Sequence, residues 1–199
     1  ESGPLSVTSS QGWTHASDKA VLSLGAATGT PNAYDIAADI VGLAPDAGLL
    51  LRLVPDGELP ATISEIRLRA TSTLTAPLDR HAGETNPRIA AVELADMAIA
   101  WGEVTLSAEG SIAPDDKGLA SGRINFTVTN WRTVMPILVA SGTVRPQLAQ
   151  TVETMLEGLA KQTGDPEVLK IPLTMQDGWM SLGPLPLGLG HLGWGAGVV

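Results

Sequence analysis

Residues 104–129 read Val-Thr-Leu-Ser-Ala-Glu-Gly-Ser-Ile-Ala-Pro-Asp-Asp-Lys-Gly-Leu-Ala-Ser-Gly-Arg-Ile-Asn-Phe-Thr-Val-Thr, and this stretch decides the fold. Val104, Leu106, Ala108 and Ile112 recur with a period of two, separated by Thr105, Ser107 and Glu109. After Pro114-Asp115-Asp116-Lys117-Gly118 the alternation resumes, with Ile124, Phe126 and Val128 against Arg123, Asn125, Thr127 and Thr129. Period-two alternation marks strands with one buried face, and a Pro-Asp…Gly segment between two of them marks a turn. Residues 104–113 and 119–129 are therefore expected to form a hairpin with Phe126 buried.

The same pattern extends upstream. Tyr34, Ile36, Ala38 and Ile40 alternate with Asp35, Ala37 and Asp39. Ile66, Leu68, Ala70 and Leu74 share a face, as do Ala95, Met97, Ile99 and Trp101. One dry and one wet side is the habit of antiparallel sheets. The phase slips at Trp101-Gly102-Glu103, which predicts a tight turn or a bulge there. The segment 43–60 is the least regular, and Leu49–Leu53 fits either a helical turn or a buried strand.

Downstream the period changes. Asn130 is a candidate N-cap for a helix starting at Trp131, which Pro136 must shorten, kink or delay, and which Gly142 ends. A second helix is expected over roughly 145–162, with Leu148, Val152, Met155, Leu156 and Leu159 on one side, a Glu157–Lys161 pair, and a stop at Gly164. Asp177-Gly178 predicts another hairpin, and the prolines and glycines from Gly183 onward suggest an irregular tail. The expected fold is thus mainly β (α+β): a strongly bent antiparallel sheet with C-terminal helices packed on its apolar face. It forms one domain over 1–190, with helices near 131–162, followed by a Gly-rich, poorly ordered tail at 191–199.

Composition narrows the function. Hydrophobic residues make up 44% of the 199, so a core can form without help. The net charge of −9 and the lack of a basic stripe argue against nucleic acid and against charge-driven binding to anionic lipid heads. The absence of cysteine excludes disulfides and thiolate chemistry. No run of about 18 apolar residues occurs, so this segment is not expected to span a membrane as a helix. The chain starts with Glu1, without a Met or a signal peptide, so it is expected to be a processed protein or one whose N-terminus has been removed, and any anchor would lie in the missing part.

Candidate catalytic groups are sparse. His15, His81 and His191 have no second ligand at metal-binding spacing and read as exposed loop residues. Glu93, Asp96, Glu103 and Glu109 fall in one β segment, but Asp96 alternates with the apolar residues and reads as a solvated side chain. Asp115-Asp116 lacks the further oxygen ligands of a calcium loop. Gly188-Leu189-Gly190-His191-Leu192-Gly193 matches a dinucleotide-binding pattern, yet prolines precede it and no helix can follow it. Asn125-Phe126-Thr127 has the form of a glycosylation acceptor, but lies mid-strand. The expectation is no catalytic, cofactor-binding or metal-binding residue, and no cofactor. Five tryptophans (13, 101, 131, 179 and 194) beside a single Phe and a single Tyr are the remaining bias, read as core filling or as interface anchors.

Three stretches, Ile66–Arg80, Ile99–Trp131 and Ile171–Gly188, resemble the domain-of-unknown-function 2125 family of Gram-negative bacterial proteins. They carry its Pro-Leu-Asp-Arg, Trp-Gly, Gly-Arg-Ile, Asn-Trp-Arg and Asp-Gly…Leu-Gly-Pro-Leu-Pro-Leu-Gly in order, over roughly residues 60–190. The Gly-x-Leu-x-x-Asp-x-x-Gly-x-x-x-Gly style of the hairpin is also similar to AsmA-type envelope proteins. The resemblance implies a periplasmic or cell-envelope setting and no assigned activity. Together with the amphipathic helix, it leads to an expected non-enzymatic module that binds an apolar ligand, such as lipid, between sheet and helices. Its contacts would be Ile99, Leu106, Phe126, Leu148, Val152 and Met155. The alternative is a structural or protein-interaction module of the envelope with a sealed core.

Overall fold

The computed structural model describes residues 3–8, 14–54 and 59–189. Trp13, His191, Trp194 and the Gly-rich segment 191–199 lie outside the described residues. A two-stranded ribbon, β1 (Leu5–Thr8) with β2 (Thr14–Ser17), leads into a nine-stranded antiparallel sheet. Its strands are β3 (Lys19–Ala26), β4 (Ala33–Leu43), β5 (Ile63–Leu74), β6 (Ile89–Trp101), β7 (Val104–Pro114), β8 (Ala120–Thr129), β9 (Val168–Gln176), β10 (Trp179–Leu182) and β11 (Leu185–Leu189). Strand order in space follows order in sequence, so each strand pairs with its neighbours along the chain and the sheet is an open meander. Helices interrupt it three times. Helix α1 (Ala47–Leu53) and α2 (Ala82–Thr85) are short. Between β8 and β9 a 3-10 turn (Trp131–Val134) runs into α3 (Met135–Ala140), and a second (Pro146–Leu148) into α4 (Ala149–Gln162).

The 104–129 hairpin forms as expected, with Leu106 opposite Val128 and Ala108 opposite Phe126. Asp115 shapes its turn, its carboxylate accepting the backbone N–H groups of Lys117 and Leu119 at 2.9 and 2.8 Å. The slip at Gly102 is a two-residue turn: Trp101 pairs with Val104, and Gly102 takes φ +60. Asp177 and Gly178 both have positive φ and close β9 onto β10, the twist such a short hairpin needs.

Register gathers the apolar side chains into one row across seven strands. Ala20, Ile40, Ile66, Ile99, Leu106, Val128 and Leu169 each face the next across the ladder. The opposite face is polar. There Arg69 grips both carboxylate oxygens of Asp39 at 2.7 Å, and Arg67 Nε donates to Asp96 at 2.6 Å. The core lies where helices cover the apolar face, around Val104, Val128, Trp131, Met135, Val152, Leu156, Leu169 and Ile171. Helix α4 packs on β9 and touches α3, which in turn touches α1. Towards β3 no described helix covers the same face, and Leu22 and Leu24 are 71% and 64% exposed.

Some expectations need correction, and at Pro136 and Leu49–Leu53 the structure selects one of the alternatives expected. In β6 the apolar phase is not continuous: Leu94, not Ala95, sits opposite Ala70, because a bulge at Ala95–Asp96 shifts the register. Asn130 does not cap a helix with its side chain. It takes the left-handed conformation, and its Nδ2 donates to the carbonyl of Glu103 at 2.6 Å, tying the start of the helical segment to the β6–β7 turn. Pro136 delays the helix, since a 3-10 turn precedes it and the proline falls in the first turn of α3, where a missing N–H costs nothing. Leu49–Leu53 lies in helix α1, capped by Asp46. Residues 185–189 are not irregular: they pair with β10 as the sheet's edge, a position that tolerates Pro186.

Candidate functional site

Asn125 and Phe126 occupy opposite faces of β8, and that alternation directs the aromatic ring towards the helices. Phe126 pairs with Ala108 and Ile171 and packs on the core, but it is half-buried rather than buried. Beside it an apolar cavity of about 190 Å³ opens between β7–β9 and α3–α4, lined by Leu106, Phe126, Trp131, Met135, Leu156 and Ile171 among others. Polar atoms are nearly absent from its wall. A second cavity of about 360 Å³ adjoins it, with Leu138, Leu156 and Leu182 common to both. Arg145, Leu148 and Val152 line this larger space, as do Leu185 and Leu187 of β11.

The six expected contact residues divide accordingly. Leu106 and Phe126 line the smaller cavity, and Leu148 and Val152 the larger. Val152 is buried whereas Leu148 is 49% exposed, so the larger cavity reaches the surface on the Leu148 side. Ile99 neighbours Leu106 in the apolar row but lies outside both linings. Met155 is half-buried on α4 and also lies outside both. The contribution of Leu138 and Met135 from α3, and of β11, was not foreseen. The proline-broken helix and the Pro-Leu-Pro-Leu-Gly segment gave no periodic signal.

The floor of the cavity is braced. Trp131 is 2% exposed, and its Nε1 donates to the carbonyl of Pro166 at 3.0 Å. The guanidinium of Arg132 stacks on the same ring at 4.6 Å and reaches Glu167 at 3.0 Å and Glu157 at 3.6 Å. Lys161 also bonds Glu157 at 2.9 Å and, with Arg132 adding to the effect, holds that carboxyl below its ordinary range. These contacts pin α4 to the β8–β9 end of the sheet and fix the distance between helix and strand.

The candidate chemical groups stand apart from this region. His15 is not in a loop: it belongs to β2, and its Nδ1 accepts the backbone N–H of Asp46 at 3.0 Å. His81 caps the short α2 and accepts from Arg80 at 3.0 Å. Asp96 lies on the polar face bonded to Arg67, and Glu93 and Glu109 are exposed. Among the described residues no three His, Asp or Glu side chains gather as a metal site would require. No helix among them is long and apolar enough to cross a membrane.

Among curated proteins and among solved structures nothing matches this chain. A family model described as an uncharacterized protein conserved in bacteria, DUF2125, matches residues 2–189. That span takes in the sheet from first strand to last, the helices and both cavities, and the chain belongs to this family of bacterial proteins of unknown function.

Proposed function

We propose that this chain is a non-catalytic domain of the bacterial cell envelope, facing the periplasm, that holds an apolar chain such as a lipid acyl tail between its sheet and its C-terminal helices. The observation that carries this reading is the apolar cavity at Leu106, Phe126 and Trp131 and its continuation past Leu138, Leu156 and Leu182. A well-packed core leaves few voids larger than a water molecule, so a cavity of this size with nearly no polar wall favours an apolar guest over water. Each methylene placed there would contribute about 0.8 kcal/mol. An acidic protein with no basic stripe gains little from phosphate heads, and holding the tail suits it better.

The test is native mass spectrometry of protein purified from its own membrane fraction, followed by lipid extraction and by titration with a fluorescent fatty acid. Co-purifying lipid and saturable probe binding are the expected results. Apo protein that never binds the probe would end this reading. A second reading, a structural or protein-interaction module of the envelope, is favoured by one feature: the exposed apolar end of the sheet at Leu22 and Leu24.

A further inference from the structure

The larger cavity is not uniform along its length. Val144, Val152 and Leu156 in its wall are buried, whereas Thr143, Arg145 and Leu148 are exposed. It therefore runs from an apolar interior to a polar, water-facing rim. The rim is held in place by the chain reversal after α3. Gly142 adopts φ +77, and the N–H of Val144 bonds back to the carbonyl of Leu138 at 2.9 Å. This buries Val144 and presents the next residue, Arg145, at the opening.

Charge makes that position unusual. The chain has a net charge of −9 and 21 acidic residues, yet among the described residues no carboxylate lines this cavity and one guanidinium does. Arg67, Arg69 and Arg132 each hold a carboxylate of the protein. Arg52, Arg80, Arg88, Arg123 and Arg145 hold none among the described residues, and of these only Arg145 lines the cavity. A cation with its donors unspent, at the wet end of an apolar cavity, complements a molecule with an anionic head and an apolar tail. The volume, about 360 Å³, lies at the small end of ligand pockets and suits one chain rather than two.

We infer that the cavity takes an anionic single-chain amphiphile of the fatty-acid class, with the tail against Val152 and Leu156 and the carboxylate on Arg145. The inference rests on the apolar-chain reading above and adds the head group to it. Competition of laurate and of uncharged lauryl alcohol against a fluorescent fatty-acid probe tests it, in the wild type and in Arg145→Gln. The wild type should prefer laurate, and Arg145→Gln should weaken laurate by roughly tenfold, the scale of one charge-assisted hydrogen bond, while leaving lauryl alcohol unchanged. Its melting temperature should stay that of the wild type, because Arg145 is exposed and makes no ion pair with any described residue. Equal affinity of the wild type for the two competitors, or a preference for laurate that survives Arg145→Gln, would overturn the head-group assignment and leave apolar-chain binding standing. Failure of the wild type to bind any of the three molecules would overturn both.

Discussion

Gly110 of β7 and Gly122 of β8 occupy mirrored places in one hairpin, two rungs apart, and each lies where the opposite strand leaves no room for a side chain. Gly110 faces Ile124 and Gly122 faces Ile112. Their φ angles are +146 and +147. A Cβ on Gly110 would fall on the carbonyl oxygen of Arg123, and one on Gly122 on that of Ser111. The two strands thus approach through reciprocal gaps, beside the half-buried Ile124 and the buried Ile112.

Gly110→Ala and Gly122→Ala should each destabilise the protein by about 2–3 kcal/mol, through a disfavoured φ and a backbone obstruction that no rotamer relieves. Gly118, in the turn of the same hairpin, also has positive φ (+76), but nothing lies within 4 Å of its missing Cβ. Gly118→Ala should therefore cost only about 1–2 kcal/mol. Urea unfolding of the three variants checks this. Equal losses would mean that conformation alone, and not the close approach of the strands, requires the glycines.

Phe126→Ala should cost about 2–3 kcal/mol, below the loss from a fully buried aromatic, because the ring borders a cavity and already lacks some neighbours. Asn125→Ala, on the exposed face, should stay within about 0.5 kcal/mol of the wild type. Similar losses from both would place β8 one residue out of register.

What was legible in the sequence follows from what periodicity encodes. The 104–129 hairpin combined a clean alternation with turn residues of fixed conformational preference, and both survive in the structure. The bulge in β6 was hidden because Leu94, Ala95 and Met97 are all apolar, so two phases fit equally and only pairing with Ala70 and Gly110 selects one. Strand β11 was hidden because its proline argued against a ladder, which an edge strand does not need on both sides. Helix α1 was undecided because Leu49, Leu50 and Leu51 are consecutive and carry no period; the cap at Asp46, which depends on β2, settles it. The cavity was legible as a face but not as a space. Alternation says which side chains point inward, whereas the gap between them depends on how closely α3 and α4 approach.

Asp46 carries a pH dependence. Its carboxylate accepts backbone N–H groups of Thr14 at 3.3 Å, Leu49 at 3.2 Å and Gly48 at 2.9 Å, joining β2 to the start of α1. These donors, Thr14 foremost, hold the carboxyl below its ordinary range. A carboxyl with a lowered pKa in the folded state contributes stability that is complete above its unfolded pKa and is lost as the pH falls through the folded one. Asp46→Ala should therefore melt below the wild type at neutral pH, and the gap should narrow once the pH drops below about 4. Melting curves of the two proteins across the acid range provide the check, since every other carboxylate is common to both. A gap that stays constant to low pH would mean that the carboxylate charge contributes nothing at this cap.

The last prediction separates an occupied cavity from a sealed core. A bulky side chain inserted into the cavity should displace an acyl chain, but the site must be chosen so that lost binding is not merely lost folding. Val152 is unsuitable, because it is 5% exposed and a Trp there would overpack the core at a cost of about 1–3 kcal/mol. Leu148 is the better choice: it lines the larger cavity yet is 49% exposed, so a Trp at this position can turn outward or lie across the opening without displacing its neighbours. If the cavity holds an apolar chain, Leu148→Trp should reduce retention of a fluorescent fatty acid while the melting temperature moves by no more than about 2–4 °C. Val152→Trp should lower both together. If the space is only a packing defect, the wild type should retain no probe, and a filling substitution at the half-buried Leu138, which borders both cavities, should raise the melting temperature by supplying the missing contacts. Probe retention in the wild type, lost in Leu148→Trp at unchanged stability, is the result that assigns the cavity to a ligand.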